Sequence, residues 1–277
     1  MKQRIITGIV GLILLGACML FFNTIFFNVI IAIIAGIAIF EILSATKLLK
    51  NWFLSIICVI ITVSIPFLTT DIKDLIFIIY LSLVFLAFVT LIVQHNTLSF
   101  KDMLMSVFLS FAIGLSFSTF IYVRDAYNVQ DGILYILLML GGAWLSDTGA
   151  YFTGMLFGKK KLAPEISPKK TVEGAIGGVI TCVACFLIIG VIFQNIWNNS
   201  SQDNREVNYI SLAIIGLVLS VLSILGDLFA SVIKRQSGIK DFGNIFPGHG
   251  GVLDRFDSVL FTAPALYIII TYFSIVK

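Results

Sequence analysis

Charge is what this sequence has least of. Only 12% of its 277 residues are charged, where a soluble domain carries roughly 25%. That shortage excludes an ordinary soluble globule, a disordered chain and a nucleic-acid-binding module. Histidine is scarce too: His95 and His249 are the whole supply, too few for an imidazole-rich metal site. The four cysteines, Cys18, Cys58, Cys182 and Cys185, all lie inside apolar runs. They give no disulfide framework. Cys182 and Cys185 have CxxC spacing, but no second pair or neighbouring histidine joins them, so they read as small apolar residues of a membrane helix.

What is present is hydrophobic length. The chain is 59% hydrophobic with 25 Phe, and its mean hydropathy is +1.06. An apolar run of about 20 residues crosses the hydrocarbon core as a helix. Taking the polar breaks as boundaries predicts nine spans, near 5–22, 25–46, 52–69, 74–93, 103–123, 132–157, 174–196, 208–233 and 255–276. The N-terminal run has no convincing cleavage site and reads as a retained first helix. The expected fold is therefore an all-α polytopic membrane protein. Residues 1–130 would supply about five N-terminal helices, and 131–277 about four C-terminal ones with inner loops 158–173 and 234–254.

The few charges decide the orientation. With the N-terminus inside, 14 of the 18 basic residues fall on the inner face and 4 on the outer. That asymmetry predicts a cytoplasmic N-terminus and an external C-terminus. The net charge of +3 carries little information by itself.

Three polar segments share the expected inner face. In the first, Trp144 to Tyr151, Asp147 is a carboxylate within a span beside Ser146 and Thr148, a candidate functional group by its cost alone. The alternative is a polar contact between helices. The second runs from Ser167 through Pro168, Lys169, Lys170 and Thr171 into the glycine-rich start of a helix. Lysines and backbone N–H groups there suit a phosphate, although a basic loop touching lipid headgroups would look similar. Gly174 and Gly178 form a GxxxG pair suited to helix packing.

The third segment is the most informative. Asp227, Ser231, Lys234 and Arg235 stand at offsets 0, 4, 7 and 8, one face of a helix. A polar loop follows, containing Pro247, His249, Gly250 and Gly251, and then Asp254, Arg255 and Asp257 open the last span. Asp254 and Asp257 are expected one turn apart on one helical face. Carboxylates grouped with lysines and arginines suit Mg²⁺ and a polyphosphate, since Mg²⁺ takes hard oxygen ligands from one or two carboxylates plus substrate phosphates.

The stretch from Ser231 to Asp257, SVIKRQSGIKDFGNIFPGHGGVLDRFD, resembles the C-terminal signature of the bacterial phosphatidate cytidylyltransferases, the CDP-diglyceride synthetases. Upstream, SDTGAYFTG and SPKKTVEGAIGG are also similar to family motifs, so the resemblance covers roughly 140–265. The first 130 residues agree only in being hydrophobic. Ala230 departs from the family's frequent Glu, Val172 from its usual aromatic residue, and Met155 from its Arg.

The resemblance implies a reaction of CTP with phosphatidate, giving CDP-diacylglycerol and pyrophosphate in phospholipid biosynthesis. It implies Mg²⁺, with a second cation such as K⁺ as a further option. Asp227 and Asp254 would be the main metal ligands and Asp257 a supporting one. Lys234, Arg235, Lys169 and Lys170 would grip phosphates. Ser167, Asp147, Ser231, His249, Gly250, Gly251 and Arg255 would line the substrates. Membrane lipids, a homodimer, the plasma membrane and a cytoplasm-facing site belong to the same expectation; nucleic acid does not. Competing readings are another Mg²⁺-dependent membrane enzyme using a phosphorylated lipid or polyprenol, and a transporter. The transporter lacks the internal repeat that such folds often show.

Overall fold

The structure, a computed structural model, describes residues 11, 13, 15–68, 73–200, 206–246, 248 and 250–276, with backbone alone at 73–75 and 199–200. Residues 15–20 are helical, but most of the expected first span lies outside the described residues. The helices that follow are α1 (Ile25–Ala45), α2 (Trp52–Ser64), α3 (Lys73–Val93), α4 (Phe100–Ala126), α5 (Val129–Phe157), α6 (Val172–Ser200), α7 (Tyr209–Gln236), α8 (Leu253–Phe256) and α9 (Val259–Tyr272). Two short strands, β1 (Lys161–Ala163) and β2 (Ser167–Thr171), form an antiparallel hairpin. The protein is thus an almost entirely helical membrane protein. Among the described residues six helices are long and apolar enough to cross a bilayer, and two apolar helices, Trp52–Phe67 and Val259–Tyr272, are shorter.

Two expectations need correction. The segment 158–173 is not a plain loop: Lys161 pairs with Thr171 and Ala163 with Ser167. Pro168 is tolerated because a two-stranded ribbon has only edges. The last span is also interrupted, for Asp257 and Ser258 form a turn between α8 and α9. Asp254 and Asp257 therefore do not lie one turn apart on a continuous helix. At the turn Ser258 N donates to Asp257 Oδ1 at 2.7 Å, and Ser258 Oγ to Ser223 O on α7 at 3.1 Å.

The chain divides into two compact units, Met1–Ile121 with Gln236–Phe256, and Tyr122–Arg235 with Asp257–Lys277. In the first, Ile57, Ile61 and Ile65 form a buried cluster against Leu68, Tyr80, Leu83 and Phe111. Polar side chains inside it are tied to backbone oxygens, as burial without lipid-exposed polar groups requires. Asn28 Nδ2 donates to Pro66 O at 2.6 Å and Thr62 Oγ1 to Ser110 O at 3.1 Å.

In the second unit α5 and α6 lie close together because small residues line their contact. A β-carbon on Gly149 would meet Thr181, and one on Gly178 would come within 2.7 Å of Ser146 O. One on Gly174 would come within 2.8 Å of Ala150 O. Gly174 and Gly178 thus serve packing, as a small-residue spacing in a membrane helix does. Gly226 does the same for α7, where a β-carbon would stand 2.9 Å from Asp257 O.

Candidate active site

Within the second unit the polar groups converge at the C-terminal end of α7. Asp227 sits nine residues before the end of that helix at Gln236, and Ser231 Oγ, one turn on, donates to Asp227 Oδ1 at 3.3 Å. Lys170, from β2, places Nζ 2.6 Å from Asp227 Oδ2. Lys234 follows on the same face of α7, its Nζ 4.0 Å from Asp257 Oδ2. Both side chains of that pair are largely buried, at 13% and 10% exposure. Ser258 Oγ donates weakly to Asp147 Oδ2 at 3.5 Å. Two helices, one strand and the turn before α9 therefore bring Asp147, Asp227, Asp257, Lys170 and Lys234 into one electrostatic neighbourhood. The helical spacing of Asp227, Ser231 and Lys234 was visible in the sequence. Their company was not.

Asp257 lies in the turn before α9, outside the apolar helix Val259–Tyr272. Burial, and after it the Asp227 carboxylate, pushes its carboxyl up to about 7, with Lys234 pulling the other way and Asp147 adding to the rise. Like charges pressed together in a buried place favour an added cation. The donors on hand are carboxylate and hydroxyl oxygens, the set a hard divalent ion takes. Among the described residues no three His, Cys, Asp or Glu side chains form a ready-made metal cage. Mg²⁺ does not require one, because it commonly takes one or two carboxylates and fills its shell with water and substrate phosphate. The residues present fit such an ion.

The two lysines of β2 are not equivalent. Lys170 is half-buried and faces Asp227, while Lys169 is exposed. Lys170→Ala is therefore expected to raise the KM for a phosphate-bearing substrate by about tenfold, the worth of one charge-assisted contact of ~1.5 kcal/mol. Lys169→Ala should change it less than threefold. Steady-state kinetics on the two variants checks this, and equal effects would remove the distinction.

Other expected site residues are placed as follows. Arg235 is exposed at the end of α7, its Nε donating to Ile166 O at 3.3 Å, which fastens the turn of the hairpin. Ser167 is half-buried and opens β2. Two of the amides at the start of α6 already have partners. Val172 N donates to Lys160 O at 2.9 Å, and Gly174 N to Thr171 Oγ1 at 3.1 Å, the latter an N-cap of the usual kind. Glu173 adds a carboxylate there, accepting from Lys159 N at 3.0 Å. Ala230, where the family often has Glu, is buried.

Asp254, Arg255, Gly250 and Gly251 belong to the first unit. Arg255 is exposed on α8. Asp254 Oδ2 accepts from Phe242 N at 2.7 Å and from Gly251 N at 2.9 Å, so this carboxylate draws together two points of the loop ahead of it. Gly250 has φ +87°, and a β-carbon on it would stand 2.8 Å from Asp254 Oδ2. Backbone sign and space both demand glycine there. His249 and Pro247 lie outside the described residues.

One residue escaped the sequence reading altogether. Glu41, in the apolar helix α1, is 4% exposed. Its Oε1 accepts from Val252 N at 3.0 Å and its Oε2 from Leu253 N at 2.8 Å. A lone carboxylate in a run such as IAIFEILSA was the available signal, since an ionisable group in a span needs a partner.

An almost all-helical membrane protein with grouped carboxylates and ammonium ions at a helix end has the equipment of a phosphate-handling membrane enzyme. The chain belongs to the cytidylyltransferase family, whose model matches residues 2–273, and it is accordingly a nucleotidyltransferase. It is 36% identical over 286 residues to the phosphatidate cytidylyltransferase of Bacillus subtilis, covering 99% of both chains. It is 40% identical over 192 residues to that of Staphylococcus haemolyticus, 68% of each chain. Over 143 residues it is 42% identical to that of Haemophilus influenzae, 52% of this chain and 46% of the relative.

Proposed function

We propose that this chain is a phosphatidate cytidylyltransferase, converting CTP and phosphatidate into CDP-diacylglycerol and pyrophosphate for phospholipid biosynthesis. The observation that carries the reading is the group at the end of α7. Asp227 is paired with Lys170 at 2.6 Å, and Lys234 stands beside Asp257, with Lys170, Lys234 and Asp257 in the stretches that resemble the family's motifs. A phosphatidate oxygen attacks the α-phosphorus of CTP; the new P–O bond forms as the bond to the β-phosphate bridge breaks. Pyrophosphate leaves. No covalent nucleophile from the protein is needed, because phosphoryl chemistry is mostly positioning and charge neutralisation.

Lys170 and Lys234 hold phosphate oxygens and offset the charge that develops on them, with Lys169 and Arg235 as outer contacts. Ser231 and Ser258 orient the neighbouring carboxylates through their hydroxyls. The resemblance implies Asp227 and Asp254 as the main Mg²⁺ ligands and Asp257 as a supporting one. When bound, the ion polarises phosphoryl oxygens and stabilises the leaving pyrophosphate. A second cation such as K⁺ fits the same oxygen-rich chemistry.

One substrate is dissolved and the other is anchored in the bilayer, so the site belongs at headgroup level. The basic-residue asymmetry favours nine spans in the plasma membrane, N-terminus and site facing the cytoplasm, C-terminus outside. A homodimer is the assembly the resemblance implies.

Purified protein in mixed micelles with phosphatidate, Mg²⁺ and labelled CTP tests the reading. CDP-diacylglycerol and pyrophosphate should appear in equal amounts, stop when Mg²⁺ is chelated and resume when it is returned. No lipid product, or substrate flux across liposomes without CTP turnover, would overturn it in favour of a transporter.

A further inference from the structure

The first unit contains a carboxylate that the proposed chemistry does not use, and its surroundings say what it does. Glu41 sits on α1, more than 200 residues before the loop it touches. Its two oxygens take the N–H groups of consecutive residues, Val252 and Leu253, where the chain enters α8. A β-carbon placed on Gly243 or on Gly251 would run into the Glu41 carboxylate. Two glycines, remote from each other in the loop, thus leave room for one acid. Gly251 N, the amide next to Val252, is taken by Asp254 Oδ2, which also holds Phe242 N.

The loop is therefore gripped twice: from inside the helix core by Glu41 and from its own far end by Asp254. We infer that Glu41 is a positioning residue for the proposed transfer, clamping the Gly251–Leu253 backbone so that Asp254 is held in one orientation. It touches no reacting atom; it acts through Asp254. The chemistry requires an anion here. A carboxylate accepts on both oxygens, whereas a glutamine amide accepts on one and would turn an NH₂ toward a backbone N–H. Charge-assisted bonds of this kind are also about twice as strong as neutral ones. The inference rests on the proposed reaction for its kinetic consequence but not for the clamp itself.

The test compares Glu41→Gln and Gly251→Ala with the wild type in the full chain in detergent. It reads amide exchange at Val252 and Leu253, kcat, the KM for CTP, and the thermal midpoint. Glu41→Gln should speed exchange at the two amides at least tenfold and lower kcat at least tenfold. The KM for CTP should stay within twofold and the midpoint within a few degrees. Gly251→Ala, which pushes on the same carboxylate from the loop side, should lower kcat similarly. Wild-type kcat in a folded Glu41→Gln, or unchanged exchange at both amides, overturns the inference. If Glu41→Gln does not fold, Gly251→Ala decides alone: wild-type kcat refutes the clamp, and a tenfold loss in a folded protein supports it. Failure of the wild type to make CDP-diacylglycerol would sink the reaction instead, while the exchange measurement would still judge the clamp.

Discussion

Asp227→Asn is expected to abolish CDP-diacylglycerol formation, lowering turnover by about three orders of magnitude. Removing one ligand charge from a metal-assisted phosphoryl transfer forfeits several kcal/mol of transition-state stabilisation, and each ~1.4 kcal/mol is tenfold in rate. The substitution has a second consequence that must be kept apart from the first. Lys170 Nζ stands 2.6 Å from Asp227 Oδ2, and both side chains are mostly buried. Losing the carboxylate leaves an ammonium without its counter-charge, and losing a charge-assisted contact at such a half-buried pair costs about 1.5–3 kcal/mol. Asp227→Asn should therefore also melt earlier. The double variant Asp227→Asn/Lys170→Met removes the stranded charge. It should recover most of the thermal midpoint and none of the turnover. Turnover near the wild-type rate in either variant would show that Asp227 is only the partner of Lys170.

The second large effect is expected at Asp254, where charge and geometry can be separated. Asp254 Oδ2 accepts from Phe242 N and Gly251 N, and an asparagine oxygen can still take both. Asp254→Asn should thus preserve the loop while losing the negative charge, and turnover should fall by about 10²–10³-fold. Asp254→Ala should lose as much turnover and also release the loop, seen as new proteolytic cleavage between residues 236 and 252. An active Asp254→Asn beside an inactive Asp254→Ala would reduce Asp254 to a loop clasp and remove it from the ligand set.

Most of the architecture could be read from composition because the bilayer rewards one property, apolar length, and that is local. The expected spans at 25–46, 132–157 and 208–233 match α1 (Ile25–Ala45), α5 (Val129–Phe157) and α7 (Tyr209–Gln236) to within a few residues. The last span misled because the helix breaks at Asp257 and Ser258, where Ser258 N bonds to the Asp257 carboxylate. Hydropathy has no term for that. The β-hairpin was hidden for the converse reason: SPKKT carries no alternating apolar pattern, and its pairing with Lys161–Ala163 is supplied by the backbone.

Acting alone, the sequence determined that the chain is a helical membrane protein, and it singled out the acids and bases proposed to handle phosphate. Side-chain type and helical spacing suffice for both, since each is a property of near neighbours along the chain. Only the tertiary structure decided that Lys170 rather than Lys169 meets Asp227, and that Asp254 and Asp257 belong to separate elements. It alone gave Glu41 a task. The Lys170 and Glu41 contacts join residues tens to hundreds of positions apart, and the break between Asp254 and Asp257 leaves no hydropathy signal, so no local pattern encodes them.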